Sequence, residues 1–298
     1  MTFRGIITPL VTPFKEDLSL DLEAVRWLAQ HQTRGRVHGV FPNSTTGEFV
    51  HLNREEAVKL VEVVLEEVGG KLWVLPGISD NSTDRAVELG LRFKDMGVDG
   101  IIVTPPFFFK VDRERLKFHF SRIAERLDLP IVIYNIPSTT GINIPIELYR
   151  ELAQEFGNIV GAKVTLDSVS YLRSLINSVK SLRKEFSVLT GMDYLLLFNL
   201  MMRGDGGITA LANVAPELHR TVYDAWVEGD LSRALRENEK LMKLSEVYDI
   251  ASSYPTAVKT ALYALRTPVK PYVRPPLTIE SREVVDRVAA ILRELGFL

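Results

Sequence analysis

The chain contains no cysteine. Disulfides, thiolate metal sites and cysteine nucleophiles are excluded together, and a reducing cytoplasm is the expected compartment. Neither sign of charge is in excess: 36 Lys and Arg stand against 38 Asp and Glu, a net charge of −2. A nucleic-acid partner, which needs a basic excess on some face, is not expected. No apolar run approaches the roughly 18 residues of a membrane span; the longest, residues 195–202, is broken by Asn199. Residues 1–14 lack a basic segment followed by an unbroken apolar core, and Thr8-Pro9 and Thr12-Pro13 punctuate them, so they read as a strand and not as a signal peptide. The five histidines show no H-x-x-x-H or similar spacing, so no metal is expected. G-x-G-x-x-G, G-x-S-x-G and G-x-x-x-x-G-K-[ST] are all missing, which removes the common dinucleotide, serine-hydrolase and phosphate-loop readings.

What is present is regular. Of the 298 residues, 46% are hydrophobic, enough for a core that needs no metal or disulfide staple. Short β-rich runs at 5–13, 37–42, 72–78, 100–104, 131–136, 159–164, 187–190 and 207–210 alternate with amphipathic stretches. The runs are continuously apolar, as in strands buried on both faces. Between them, Ala57, Leu60, Val61, Val64, Leu65 and Val68 form one helical stripe, and Asn53, Ser82 and Pro145 sit where helices should begin. Eight strand–helix units predict a closed (β/α)8 TIM barrel; an open doubly wound sheet is the alternative, but its Gly-rich first turn is absent. Beyond about residue 228 the strands stop, and 231–250, 256–265 and 281–295 predict three helices. The expected organisation is thus a barrel over 1–228 that carries the site, and a C-terminal three-helix region over 229–298.

In such a barrel the chemistry lies at the C-terminal strand ends. Lys163 stands out in Ile159-Val160-Gly161-Ala162-Lys163-Val164, a run that otherwise reads as fully buried. A buried ammonium is costly, desolvation lowers its pKa, and the neutral amine is the form that attacks a carbonyl. The bland alternative is a lysine that reaches solvent or pairs with Glu48. Lys259, among Thr256 and Thr260 on a helical pattern, reads as a surface lysine. Tyr134, after Ile131-Val132-Ile133, is placed to move a proton or merely to be a buried tyrosine with a partner. Thr45 and Thr46, before Gly47, offer two hydroxyls and backbone N–H groups for a carboxylate, or a simple turn and cap. Gly206-Gly207 would suit an anion or tight packing. Phe107-Phe108-Phe109 is an aromatic cluster of the kind that lines a pocket or a subunit contact.

Taken in order, Gly5-Ile6-Ile7-Thr8-Pro9, Ser44-Thr45-Thr46-Gly47-Glu48, Tyr134-Asn135-Ile136-Pro137, Gly161-Ala162-Lys163 and Arg274-Pro275-Pro276-Leu277 resemble the pyruvate-dependent class I aldolase superfamily. Its members include dihydrodipicolinate synthase, N-acetylneuraminate lyase and 2-keto-3-deoxygluconate aldolase, and the resemblance spans nearly the whole chain. It implies a Schiff base between Lys163 and pyruvate, with no cofactor beyond that covalent link. It implies Tyr134 as the proton carrier, Thr45 and Thr46 as the pair that contacts the pyruvyl carboxylate and joins the hydroxyl relay, and Ser44 near that carboxylate. Thr139, Thr165, Gly191, Ile208 and Phe108 are the further substrate-binding candidates. A homotetramer, built as a dimer of dimers, is the implied assembly.

The sequence departs from the synthase pattern at named places. Thr139 stands where the synthase commonly has an arginine for aspartate semialdehyde. Phe107-Phe108-Phe109 stands where it commonly has a tyrosine contributed across the dimer. Ser44 replaces a usual glycine, and the Lys163-x-Thr165 spacing looks more like the sugar-acid aldolases. The expectation is a 2-keto-3-deoxy sugar acid aldolase, with dihydrodipicolinate synthase as the alternative. Outside the class, the alternative is a keto-acid-binding protein without catalysis.

Overall fold

The computed structural model describes residues 2–298. Strands and helices alternate along the chain: β1 (Gly5–Pro9), α1 (Leu22–Arg34), β2 (Gly39–Phe41), α2 (Arg54–Val68), β3 (Trp73–Val74), α3 (Thr83–Asp95), β4 (Ile101–Val103), α4 (Arg113–Arg126), β5 (Ile131–Asn135), the short α5 (Pro137–Thr140), α6 (Ile146–Glu155), β6 (Ile159–Val164), α7 (Val169–Lys180), β7 (Ser187–Thr190), α8 (Leu196–Met201), β8 (Gly206–Ile208) and α9 (Pro216–Val227). The C-terminal region holds α10 (Leu231–Ser245), α11 (Val247–Ile250), α12 (Tyr254–Ala264) and α13 (Arg282–Glu294). The eight strands make one sheet in the order β3-β2-β1-β8-β7-β6-β5-β4. Just past β3, Gly77 bridges in parallel to Ile102 of β4, which joins the two ends of that order. The fold is a (β/α)8 barrel followed by C-terminal helices. Among the described residues no helix is long and apolar enough to cross a membrane.

Contacts divide the chain into two compact units. One comprises the segment up to Gly5 with Leu75–Ile208, the other Ile6–Val74 with Thr209–Leu298. In the first, every residue of β5, β6 and β7 is buried. That explains why their sequences are apolar without alternation: each strand is covered on both faces. The runs read at 159–164 and 187–190 coincide with β6 and β7. In the second unit, α2 opens on a capping box in which Asn53 and Glu56 satisfy each other's backbone N–H groups, an arrangement worth about 1 kcal/mol.

Several boundaries move. The run at 5–13 is ladder only as far as Pro9, and the run at 72–78 contributes Trp73–Val74 plus the bridge at Gly77. The run at 207–210 begins one residue earlier and stops at Ile208, after which a 3-10 turn, Ala210–Asn213, takes over. Asn213 holds that turn through its amide, which donates to the carbonyls of Ala210 (2.7 Å) and Pro9 (2.9 Å). The helix read over 231–250 breaks at Glu246 into α10 and α11. There the Ser245 hydroxyl donates back to the Leu241 carbonyl at 2.8 Å, a local bond that competes with the helix ladder.

Candidate active site

In the unit that carries β4 to β8, three of the expected side chains meet. Parallel register sets Tyr134 of β5 beside Lys163 of β6. The Lys163 side chain is almost wholly buried, at 3% exposure, and its Nζ lies 4.0 Å from the centroid of the Tyr134 ring. Burial pulls the Lys163 ammonium from the ordinary lysine range down to about 7, and the charge of buried Asp193 opposes that fall. A face-on aromatic ring also favours the charged form. Desolvation is the larger effect. The amine is therefore substantially neutral near pH 7, the state in which nitrogen carries a free lone pair.

Thr165, the residue after β6, donates its hydroxyl to the Tyr134 phenol oxygen at 3.1 Å. Its own N–H donates to the Asn135 carbonyl at 2.9 Å, so the ladder fixes it one step past Lys163. Gly191 follows β7, and its N–H donates to the Val164 carbonyl at 2.7 Å. A Cβ at Gly191 would collide with Thr165 Oγ1 and lie 3.1 Å from Lys163 Cε. Glycine there is the condition for Lys163, Thr165 and Tyr134 to share the strand ends. Asn135 closes β5 by accepting the N–H of Ile144 (3.1 Å) and donating to Asn143 (2.8 Å).

The remaining candidates of this unit have the following surroundings. Thr139, on α5, is exposed, and its hydroxyl donates to the Ile136 carbonyl at 3.3 Å. Phe108 is 77% exposed and meets Phe109 edge to face; the backbone N–H groups of Phe107 and Phe108 donate to Asn81 Oδ1. Ile208 is fully buried at the end of β8.

In the other unit, the turn after β2 presents Thr45 half-buried and Thr46 buried. Ser44 is the frame of that turn: its hydroxyl donates to the Leu10 carbonyl (3.1 Å) and accepts the Gly47 N–H (2.9 Å). Through these two bonds the Ser44 hydroxyl supports the turn. Glu48, the last residue of the motif, is buried, and its partner is Lys259, with Nζ to Oε1 at 2.6 Å. This corrects the reading of Lys259 as a surface residue: the side chain is wholly buried. Eight consecutive residues of α12, Pro255 to Leu262, are buried, and a helix covered on all sides cannot lend a face to solvent. Arg274, also part of the motif string, is held by Glu56 through both guanidinium NH groups, at 2.6 and 2.7 Å.

Two charged groups of these sites escaped the sequence reading. Asp193, just after β7, is buried, and a lone carboxylate inside Met192-Asp193-Tyr194-Leu195 is the signal that marks it. Lys259 reads as a surface lysine beside Thr256 and Thr260, and its neighbours Ala257, Val258, Ala261 and Leu262 are the signal for its burial.

An amine of lowered basicity at a barrel strand end, beside a phenol hydroxyl with a hydrogen-bonded neighbour, is a site equipped for carbonyl chemistry. The chain belongs to the dihydrodipicolinate synthetase family, whose model matches residues 2–295, and it is a carbon–carbon lyase. A DapA-like lyase of Thermofilum pendens is 63% identical over 294 residues, 99% of this chain and 98% of that one. The probable 2-dehydro-3-deoxy-D-pentonate aldolase YjhH of Escherichia coli is 39% identical over 296 residues, 99% of this chain and 98% of that one. Among solved structures, YagE, an Escherichia coli prophage protein of the dihydrodipicolinic acid synthase family in complex with pyruvate, superimposes with a TM-score of 0.97. The identity there is 31%, over 99% of each chain.

Proposed function

We propose that the protein is a pyruvate-dependent aldolase that makes or breaks the C–C bond of a 2-keto-3-deoxy sugar acid through a Schiff base on Lys163. The observation that carries this reading is the desolvated Lys163 amine beside the hydrogen-bonded Tyr134 and Thr165 hydroxyls. The amine adds to the keto carbon of pyruvate, and loss of water leaves a protonated imine. That imine draws electrons from the methyl carbon, so loss of a methyl proton gives an enamine that adds to the aldehyde. Tyr134 carries the proton in these steps, with Thr165 orienting its hydroxyl and Thr45 as a relay partner. Thr45 and Thr46, with the N–H groups of their turn, supply fixed donors for the pyruvyl carboxylate. No cofactor beyond the covalent link is required.

The choice of aldehyde rests on charge. Aspartate semialdehyde brings a second carboxylate, which a bidentate arginine suits and a threonine hydroxyl does not. Thr139 stands where the synthase commonly has that arginine, and Arg274 is already engaged by Glu56. Sugar-derived aldehydes present hydroxyls instead, and the aldolase name carried by YjhH agrees with that choice. We assign the barrel to residues 1–228 and a supporting region to 229–298. The assembly we propose is a cytoplasmic homotetramer that covers the exposed Phe108 and Phe109.

The test is a panel of acceptors with the purified protein. Pyruvate plus glyceraldehyde should condense, and kcat/KM for pyruvate plus aspartate semialdehyde should be lower by about tenfold or more. Borohydride with pyruvate should leave a covalent pyruvyl mass on Lys163, absent in Lys163→Ala. Efficient use of aspartate semialdehyde would make the protein a synthase instead. Absence of trapping on intact Lys163 would leave only a keto-acid-binding protein.

A further inference from the structure

The turn that bears Thr45 and Thr46 is strained at both ends. Asn43 (φ 54°) and Glu48 (φ 58°) both adopt the left-handed conformation without being glycine, and such residues persist only where their surroundings over-determine them. Within the turn, Thr12 donates its hydroxyl to the Gly47 carbonyl at 2.6 Å, and Gly47 has no room for a Cβ, which would lie 2.7 Å from the Leu10 carbonyl oxygen. The Glu48 N–H closes onto the Thr45 carbonyl at 3.1 Å. What holds Glu48 itself is a buried ionic cluster. One carboxylate oxygen accepts from Lys259 Nζ; the other accepts the backbone N–H of Arg274 at 2.9 Å and lies 3.3 Å from His51 Nδ1. Lys259 Nζ also donates to the Tyr272 carbonyl at 2.7 Å and lies 4.3 Å from the centroid of the Phe14 ring; the Arg274 guanidinium lies 4.5 Å from the same ring. Arg274 reaches on to the carbonyls of Leu18 and His51.

Lys259 is ion-paired with Glu48 and also hydrogen-bonded to the Tyr272 carbonyl, so as an ammonium it offers no lone pair to a ligand. The cluster joins α12 and the extended segment around Tyr272 and Arg274 to one point, the carboxylate at the end of the Thr45–Thr46 turn. We infer that Glu48 and Lys259 are positioning residues for pyruvate: the C-terminal region holds the turn in its strained form, and so sets the affinity of the donor pair for the carboxylate. The inference rests on the proposed role of Thr45 and Thr46.

The full-length protein is titrated with pyruvate, borohydride trapping on Lys163 being the readout, as Lys259→Met, Glu48→Gln, the double variant and Thr45→Val. Lys259→Met keeps the stem and removes the charge. Its half-saturating pyruvate concentration should rise about tenfold, while trapping at saturating pyruvate and the half-saturation for the aldehyde stay within about threefold. Glu48→Gln should raise it about threefold, and the double variant should recover part of the Lys259→Met loss because no unpaired charge remains. Unchanged pyruvate half-saturation in folded Lys259→Met and Glu48→Gln would overturn the inference and leave the cluster a purely structural role; if Lys259→Met fails to fold, Glu48→Gln decides alone. Thr45→Val separates the two levels. If it raises the pyruvate half-saturation and the cluster variants do not, the role of the turn stands and the inference fails. If Thr45→Val changes nothing, the role of the turn fails and takes the inference with it.

Discussion

Lys163 and Lys259 are both buried lysines, and their neighbours give them opposite uses. Lys259 is drawn down to about 8 by burial, but Glu48 lies against it and opposes the fall. It is a structural cation, hydrogen-bonded to Glu48 and to the Tyr272 carbonyl. Lys163 has the charge of Asp193 to oppose burial and still falls to about 7. The consequence has a sign. Below that value the ammonium predominates and cannot attack a carbonyl; above it the amine does. The neutral fraction grows about tenfold between pH 6 and pH 8 for a group titrating near 7. With pyruvate as the varied substrate, kcat/KM should rise by about that factor and inflect near 7, since this ratio reports the free enzyme. Asp193→Asn removes a charge that favours the ammonium, so its inflection should move to lower pH. An inflection in the ordinary lysine range would mean that Lys163 is solvated in solution.

Strands β6 and β7 set the spacing of the reacting groups. Their parallel register pairs Lys163 with Leu189 and Val164 with Thr190, which brings Gly191 against Thr165. A methyl group at position 191 would push on Thr165 Oγ1 and crowd Lys163 Cε. Thr165 would have to release the Tyr134 hydroxyl, and a displaced general acid–base group costs about 10²–10⁴-fold. Gly191→Ala should therefore lower kcat/KM by about a hundredfold or more, while circular dichroism and thermal midpoint change little because Gly191 lies outside the strands. Near-normal turnover would show that Thr165 does not orient Tyr134. Among the helices, α12 shows how an element can mislead: Lys259, Thr256 and Thr260 suggest a wet face, yet Thr256 and Thr260 are also buried. Thr256 is consumed by the capping box with Ser253, so its polarity serves the helix terminus and not solvent.

At the scale of the whole molecule, the sheet depends on one close approach. Strand β8 stands between β7 and β1 in the sheet order. Gly206, its first residue, has φ 141°, and a Cβ there would collide with the backbone of Gly5 at the start of β1. Backbone atoms cannot swing aside as a flexible side chain can. Gly206→Ala combines a conformation that L side chains rarely adopt with a clash that has no rotamer escape. Its thermal midpoint should fall by about 10 °C or more, or the protein should fail to accumulate in soluble form. A variant that folds with an unchanged midpoint would show that β8 can shift without loss of the ladder.

The sequence alone determined the alternation of strand and helix, the strand ends at which chemistry could lie, and Lys163 and Tyr134 as a candidate pair. It did so because a strand covered on both faces must be apolar, and a lysine in such a run departs from the rule. Strands β6 and β7 were readable to the residue for the same reason. What only the tertiary structure decided were the partnerships between distant segments. Glu48 meets Lys259 and Arg274 across more than two hundred residues, and no periodicity within either segment encodes the other. Thr165 joins Tyr134 through the β5–β6 register, Gly191 is small because Thr165 needs its space, and Ser44 serves its own turn. Burial, charge pairing and the room for a single methyl group depend on which segments are packed together.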